Sequence, residues 1–189
     1  MVNAVKYHYP VHKLTIYGNI EINYIDEGSS STTILFVHGL ANYGNVWYQQ
    51  IEFLKQHYRC IAIDLPGCGL SSRGDYPYSM LFFSEVIVKC CEALHLDEII
   101  LCGHSMGGHA SIITSLRHPP LIRKMILIAP SGFELFTSSE ISLFKGMLPF
   151  GNMFLSHQLQ LMGSLQQSFY KMPPSGKKMI DDLLTILNA

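Results

Sequence analysis

The sequence predicts an α/β fold built on a mostly parallel sheet, and three observations carry that prediction. Short apolar runs rich in β-branched residues recur along the chain, "TILFV" at 33–37, "CIAI" at 60–63, "IILC" at 99–102 and "MILIA" at 125–129. Strands buried on both faces of a parallel sheet read this way. Segments with apolar residues at helical spacing separate these runs, with short connections, the order that right-handed strand-helix-strand crossovers produce. With 189 residues, 48% hydrophobic and 14% charged, the chain is long and apolar enough for one sizeable core.

Taken in order, "LTIY" at 14–17 and "IEINYI" at 20–25 flank a Gly18-Asn19 turn, and their alternation predicts a half-buried antiparallel hairpin. Gly28 and the three serines after it form a loop. The strand at 33–37 ends at His38-Gly39. From 46 to 57, Val46, Trp47, Ile51, Phe53 and Leu54 recur at helical spacing, predicting a helix packed on the sheet. The strand at 60–63 runs into "DLPGCGLSS" at 64–72. A helix over 79–95, a strand over 99–102, and a helix reaching Arg117 and stopped by Pro119-Pro120 follow. The run at 125–129 predicts one more buried strand.

Beyond Pro130 the texture changes. No valine follows Val88, and after Ala129 the β-branched residues are only Thr137, Ile141, Ile180, Thr185 and Ile186. Helices are expected over 138–148, 152–170 and 175–188, broken by Pro149, Gly151 and Pro173-Pro174. The organisation read here is a core over 1–130 and a helical part over 131–189.

Thirteen basic and fourteen acidic residues give a net charge of -1, with no basic run or stripe, so nucleic acid is not an expected partner. The N-terminal "MVNAVKYHYPVHKL" lacks the apolar core of a secretory signal, and no segment approaches the ~20 apolar residues of a membrane span. Five cysteines, Cys60, Cys68, Cys90, Cys91 and Cys102, form no CxxC pair. They read as reduced, mostly buried thiols of a cytoplasmic protein, Cys68 the most exposed. No metal site and no cofactor are implied.

Gly103-His104-Ser105-Met106-Gly107 fits G-x-S-x-G, placed after a buried strand and opening a helix. At such a turn the serine backbone is strained, and the glycines are needed because a Cβ would collide. The His38-Gly39-Leu40 loop offers a backbone N–H to a developing oxyanion, and the N–H of Met106 at the next helix start is the second donor. These two elements and the Asp64 glycine turn all lie at carboxyl ends of strands, where open α/β sheets bind ligands.

With "HG" after one strand, "DLPGCGLSS" after the next and "GHSMGG" after the third, the chain resembles the N-terminal two-thirds of an α/β-hydrolase whose helical lid follows the sixth strand. The likeness runs from about 14 to 130, and 131–189 resembles the beginning of the lid. It implies a serine hydrolase acting on a small-molecule apolar carboxylic ester or related carbonyl substrate, with Ser105 as nucleophile and the N–H groups of Leu40 and Met106 as oxyanion hole. Serine at the elbow favours esterases, lipases, C–C bond hydrolases and peptidase-like relatives over dehalogenases and epoxide hydrolases. His38, Gly39, His104 and Trp47 are the substrate-pocket candidates; His38 reads chiefly as ordering the oxyanion loop, His104 as packing, and Trp47 as core or pocket wall. Asp64, preceding the serine, reads as a cap on its own glycine turn.

The family order is Ser, then Asp or Glu, then His, with the acid after a seventh strand and the histidine after an eighth. Neither strand has a candidate. Glu134 or Glu140 followed by His157 would satisfy the order, within the lid region, with Glu134 the better placed of the two acids. The expectation is a truncated hydrolase with negligible ester turnover as it stands. The alternative is a catalytically inactive fragment that binds or complements a partner. Absent strands would leave a sheet edge open to self-association. Met147, Met153, Met162, Met172 and Met179 in the lid would line an acyl pocket or pack within it.

Overall fold

Alternating apolar residues at the start of the chain do fold into a hairpin. Strand β1, His12–Ile16, pairs antiparallel with β2, Ile20–Glu27, through a three-residue turn in which Gly18 takes φ 76°. The computed structural model describes residues 6–133 and 137–139. The chain divides into the unit Ala4–Gly132 and a second unit comprising 1–3 and 133–189. Glu134, Glu140, His157, the lid methionines and nearly all of the helical region expected after 137 lie outside the described residues.

Four further strands complete a six-stranded sheet of order β1-β2-β4-β3-β5-β6: β3 Thr33–Val37, β4 Arg59–Ile63, β5 Ile99–His104 and β6 Ile122–Ile128. β2 meets β4 antiparallel, and β4, β3, β5 and β6 run parallel. The continuous apolar runs predicted this for β3, every residue of which is buried. Helix α2, Met80–Ala93, and helix α3, Met106–Arg117, pack over one face with Val86, Ile87 and Ala110 against Leu35, Ile61 and Leu101. Helix α1, Tyr48–Leu54, covers the other with Ile51 beside Phe36, Ala62 and Cys102. Ser79 caps α2 by accepting from the Phe82 N–H at 3.1 Å.

Two expectations need correction. The helix expected over 46–57 is a 3-10 turn, Gly44–Trp47, followed by the two-turn α1. Val46 N–H bonds back to the Tyr43 carbonyl, an i-to-i+3 closure, and the N–H groups of His57 and Tyr58 both fold back to the Leu54 carbonyl. Phe53 is 76% exposed rather than inward, since two residues on a helix turn it about 200° from the buried Ile51. The strand predicted as buried at 125–129 is β6, Ile122–Ile128, and it is largely open, with Met125, Ile126 and Ile128 each at least 39% exposed. β6 pairs only with β5 among the described residues, so it is a sheet edge there.

All five cysteines are free, four buried and Cys68 partly exposed. No helix among the described residues is long and apolar enough to cross a membrane.

Candidate active site

β5 brings "CGH" to the carboxyl edge of the sheet and α3 leaves from it one residue later. Ser105, the residue between, has φ 51° and ψ -117°. Holding a non-glycine residue there costs about 1–3 kcal/mol. Three backbone hydrogen bonds offset it: Ser105 N–H donates to Ile128 O at 3.0 Å, and Ser105 O accepts from His109 N–H and Ser131 N–H, both at 3.1 Å. At ~1 kcal/mol each they match the strain.

The flanking glycines are demanded by distance. A Cβ on Gly103 would lie 2.5 Å from Ser111 Oγ and 2.6 Å from the Gly107 carbonyl oxygen. One on Gly107 would lie 2.4 Å from His38 O and 2.5 Å from Val37 O. α3 thus starts in direct contact with the end of β3, which carries the second element of the site. A Cβ on Gly39 would sit 2.9 Å from His104 Nδ1 and 3.1 Å from Ser105 Cβ, so the loop after β3 passes against the serine. Beyond it Leu40 is 75% exposed and Ala41 has φ 54°. Neither Leu40 N–H nor Met106 N–H has a hydrogen-bond partner among the described residues, as the first N–H of a helix commonly lacks one.

The pocket candidates separate. His38 is completely buried. Its Nε2 accepts from Leu65 N–H at 3.0 Å and its Nδ1 lies 2.7 Å from Gly39 O. A bare Nε2 places the proton on Nδ1, the neutral tautomer. Burial lowers its pKa, and that outweighs the opposing bond to Gly39 and the Asp64 charge. Trp47 is 4% exposed, 5.1 Å from Phe36 between ring centroids. Both side chains are packed in the core beside the loop after β3, His38 through its bonds to Leu65 N–H and Gly39 O and Trp47 against Phe36. His104 is half-buried against Gly39, its pKa lowered by burial.

A neutral buried imidazole makes stability depend on pH. The unfolded chain binds the proton near pH 6.5 while the folded chain resists it, so stability from His38 is full above about 6.5 and falls as pH drops below it. Urea denaturation at pH 7.5 and 5.5 should show lower stability at 5.5, with His38 contributing at most ~1.4 kcal/mol per pH unit and His104, whose pKa burial also lowers, adding in the same direction. A His38→Gln variant should make the profile shallower, leaving the part due to His104; an unchanged slope would remove His38 as a source.

Asp64, 1% exposed, caps its turn as expected, accepting from Leu70 N–H at 2.9 Å on Oδ2. The sequence reading missed its other partners. Oδ1 accepts from Gly44 N–H at 2.7 Å, and Oδ2 also accepts from the Tyr7 hydroxyl. The turn wraps the carboxylate so tightly that a Cβ on Gly69, where φ is 51°, would meet Asp64 Oδ2 at 2.1 Å. No pattern near Tyr7 signals a partner 57 residues away.

Ser105 Oγ has no histidine or carboxylate bonded to it among the described residues. A parallel sheet that delivers a positive-φ serine straight into a helix, between glycines that admit no side chain, defines the α/β-hydrolase class of fold. The sequence model of the alpha/beta hydrolase fold family matches residues 32–170, and the chain belongs to that family. Over 115 residues it is 30% identical to the (E)-2-((N-methylformamido)methylene)succinate hydrolase of Acinetobacter baylyi, covering 61% of this chain and 43% of that protein. It is 26% identical over 159 residues to the uncharacterized hydrolase YugF of Bacillus subtilis, covering 83% and 58%. The crystal structure of a probable hydrolytic enzyme from Pseudomonas aeruginosa shares the fold, with TM-score 0.75 and 24% identity over 97% of this chain and 62% of that one. The chain spans about half the length of the curated relatives it matches.

Proposed function

We propose that the chain is the nucleophile-bearing part of a serine hydrolase acting on an apolar carboxylic ester or related carbonyl substrate. Ser105 Oγ attacks the carbonyl carbon, the tetrahedral oxyanion is held by the N–H groups of Leu40 and Met106, the leaving group departs with a proton, and water then releases the acid from the acyl-serine. The observation that carries this reading is Ser105 at φ 51° and ψ -117° between β5 and α3, strain that a structural serine at a helix start has no need of. Gly39 packed against Ser105 Cβ adds support by bringing the candidate oxyanion loop to the nucleophile. The part over 131–189 would act as lid. Glu134 and His157 are the acid and base the chain itself offers in the family order.

A second reading rests on Ser105 Oγ having no histidine or carboxylate bonded to it among the described residues. Without a base the serine is unactivated, and loss of triad members costs several powers of ten in rate; the chain would then bind a ligand or complement a partner without turnover. A fluorophosphonate probe followed by peptide mass spectrometry separates the two. Labelling confined to Ser105 and lost in Ser105→Ala is the expected result. Labelling elsewhere, or none at Ser105 in the folded chain, overturns the serine-hydrolase reading.

A further inference from the structure

We propose that the segment 6–9 is a strap that positions the oxyanion loop through the Asp64 carboxylate, with the Tyr7 hydroxyl as its key contact. The proposal rests on the reading of Leu40 as an oxyanion donor. Residues 38–45 leave β3, pass Ser105 at Gly39 and enter the 3-10 turn at Gly44. At the start of this loop, His38 is bound by Leu65 N–H. At its end, Gly44 N–H is bound by Asp64 Oδ1. Leu40 lies between two fixed points, and both trace to Asp64 and its neighbour Leu65.

The second fixed point is gripped by the strap. Tyr7 O–H donates to Asp64 Oδ2. The Tyr43 hydroxyl donates to Lys6 O at 2.9 Å, and the Tyr7 and Tyr43 rings meet edge to face at 5.1 Å. Asn45 Oδ1 accepts from His8 N–H at 2.8 Å. Three consecutive strap residues thus hold three consecutive loop residues, or the carboxylate that binds one of them, across 37 or more positions of sequence. Burial, reinforced by the Asp64 charge, raises the Tyr7 pKa, which keeps its proton available for donation. The carboxylate is also the hub of the 64–72 turn, through Leu70 N–H. Removing one donor from a buried, charge-assisted acceptor loosens every group that shares it.

The strap also does ordinary packing, since Tyr7 and Tyr9 lie on the cluster around Phe36 and Trp47. Tyr7→Phe keeps the ring and deletes only the hydroxyl, so the two roles divide. Two measurements on the full chain, at a temperature where parent and variant are both folded, test the proposal. In amide hydrogen exchange, Gly44 and Leu70 should exchange faster in Tyr7→Phe while the β5 amides of Ile100 and Leu101 stay as in the parent. In fluorophosphonate kinetics, the maximal labelling rate at Ser105 should fall about tenfold or more, the scale of a small misplacement near reacting atoms, with half-saturation unchanged.

Unchanged exchange at Gly44 overturns the strap. Faster exchange with an unchanged maximal rate overturns its positioning role and leaves packing alone. If the parent is not labelled at Ser105, the serine-hydrolase reading fails, and the Gly44 exchange still decides whether the strap orders the loop.

Discussion

Gly107→Ala is expected to lower folding stability by about 3 kcal/mol or more and to abolish labelling of Ser105. The added Cβ would fall 2.4 Å from His38 O and 2.5 Å from Val37 O. Both are backbone atoms at the end of the central strand, held by pairing of Val37 with Ile63 on one side and Gly103 on the other. Neither can rotate away as a side chain could. α3 must therefore lift off the sheet, taking Met106 N–H with it. Gly18→Ala supplies the contrast: φ is 76° but nothing lies within 4 Å of the added Cβ, so only the backbone cost of ~1 kcal/mol applies. Urea denaturation of both variants reads the difference. A Gly107→Ala loss no larger than that of Gly18→Ala would mean that the contact between α3 and β3 yields readily.

Asp64→Ala should cost about 3–5 kcal/mol. The substitution strands the N–H groups of Gly44 and Leu70 and the hydroxyl of Tyr7, and each buried donor without an acceptor costs ~1–3 kcal/mol. Leu70 and Tyr7 are only partly buried, so water satisfies part of their demand and the total falls below the sum. Relief of the desolvated charge returns a further part. Asp64→Asn should be intermediate, because its amide oxygen can accept from Gly44 while its NH2 faces two donors. Thermal or chemical denaturation measures all three chains; a loss under about 1 kcal/mol for Asp64→Ala would show that the loops do not depend on this carboxylate.

Features set by local chemistry were legible in the sequence. The continuous apolar run at 33–37 has the same limits in the structure, and the hairpin alternation and the Ser79 start of α2 also agree. The fold class followed from these, and so did the placing of Ser105, Gly39 and the Asp64 turn at one sheet edge. Two kinds of feature escaped. Burial of β6 could not be read from "MILIA", because an apolar strand looks alike at an edge and at the centre of a sheet; what differs is its neighbours. Contacts that join distant segments leave no periodic trace, so Tyr7 on Asp64 was invisible. The burial of His38 and Trp47 stayed open in the sequence, which placed both near the glycine loop, His38 chiefly as ordering it and Trp47 as core or pocket wall. Side-chain direction sends both into the core, and that direction depends on how the loop turns after Val37.

The strand order carries a consequence for how the chain is made. β3 is hydrogen-bonded on one edge by β4 and on the other by β5, although both follow it in sequence. During vectorial synthesis residues 33–37 emerge with neither neighbour present, and the second becomes available only once residue 104 has left the ribosome. Until then the most apolar strand of the sheet offers an unpaired edge to whatever is nearby, including a copy of itself on an adjacent nascent chain. The residue that follows the strand closing this gap is Ser105, so the turn that strains the serine is the first backbone laid down once both partners of β3 exist.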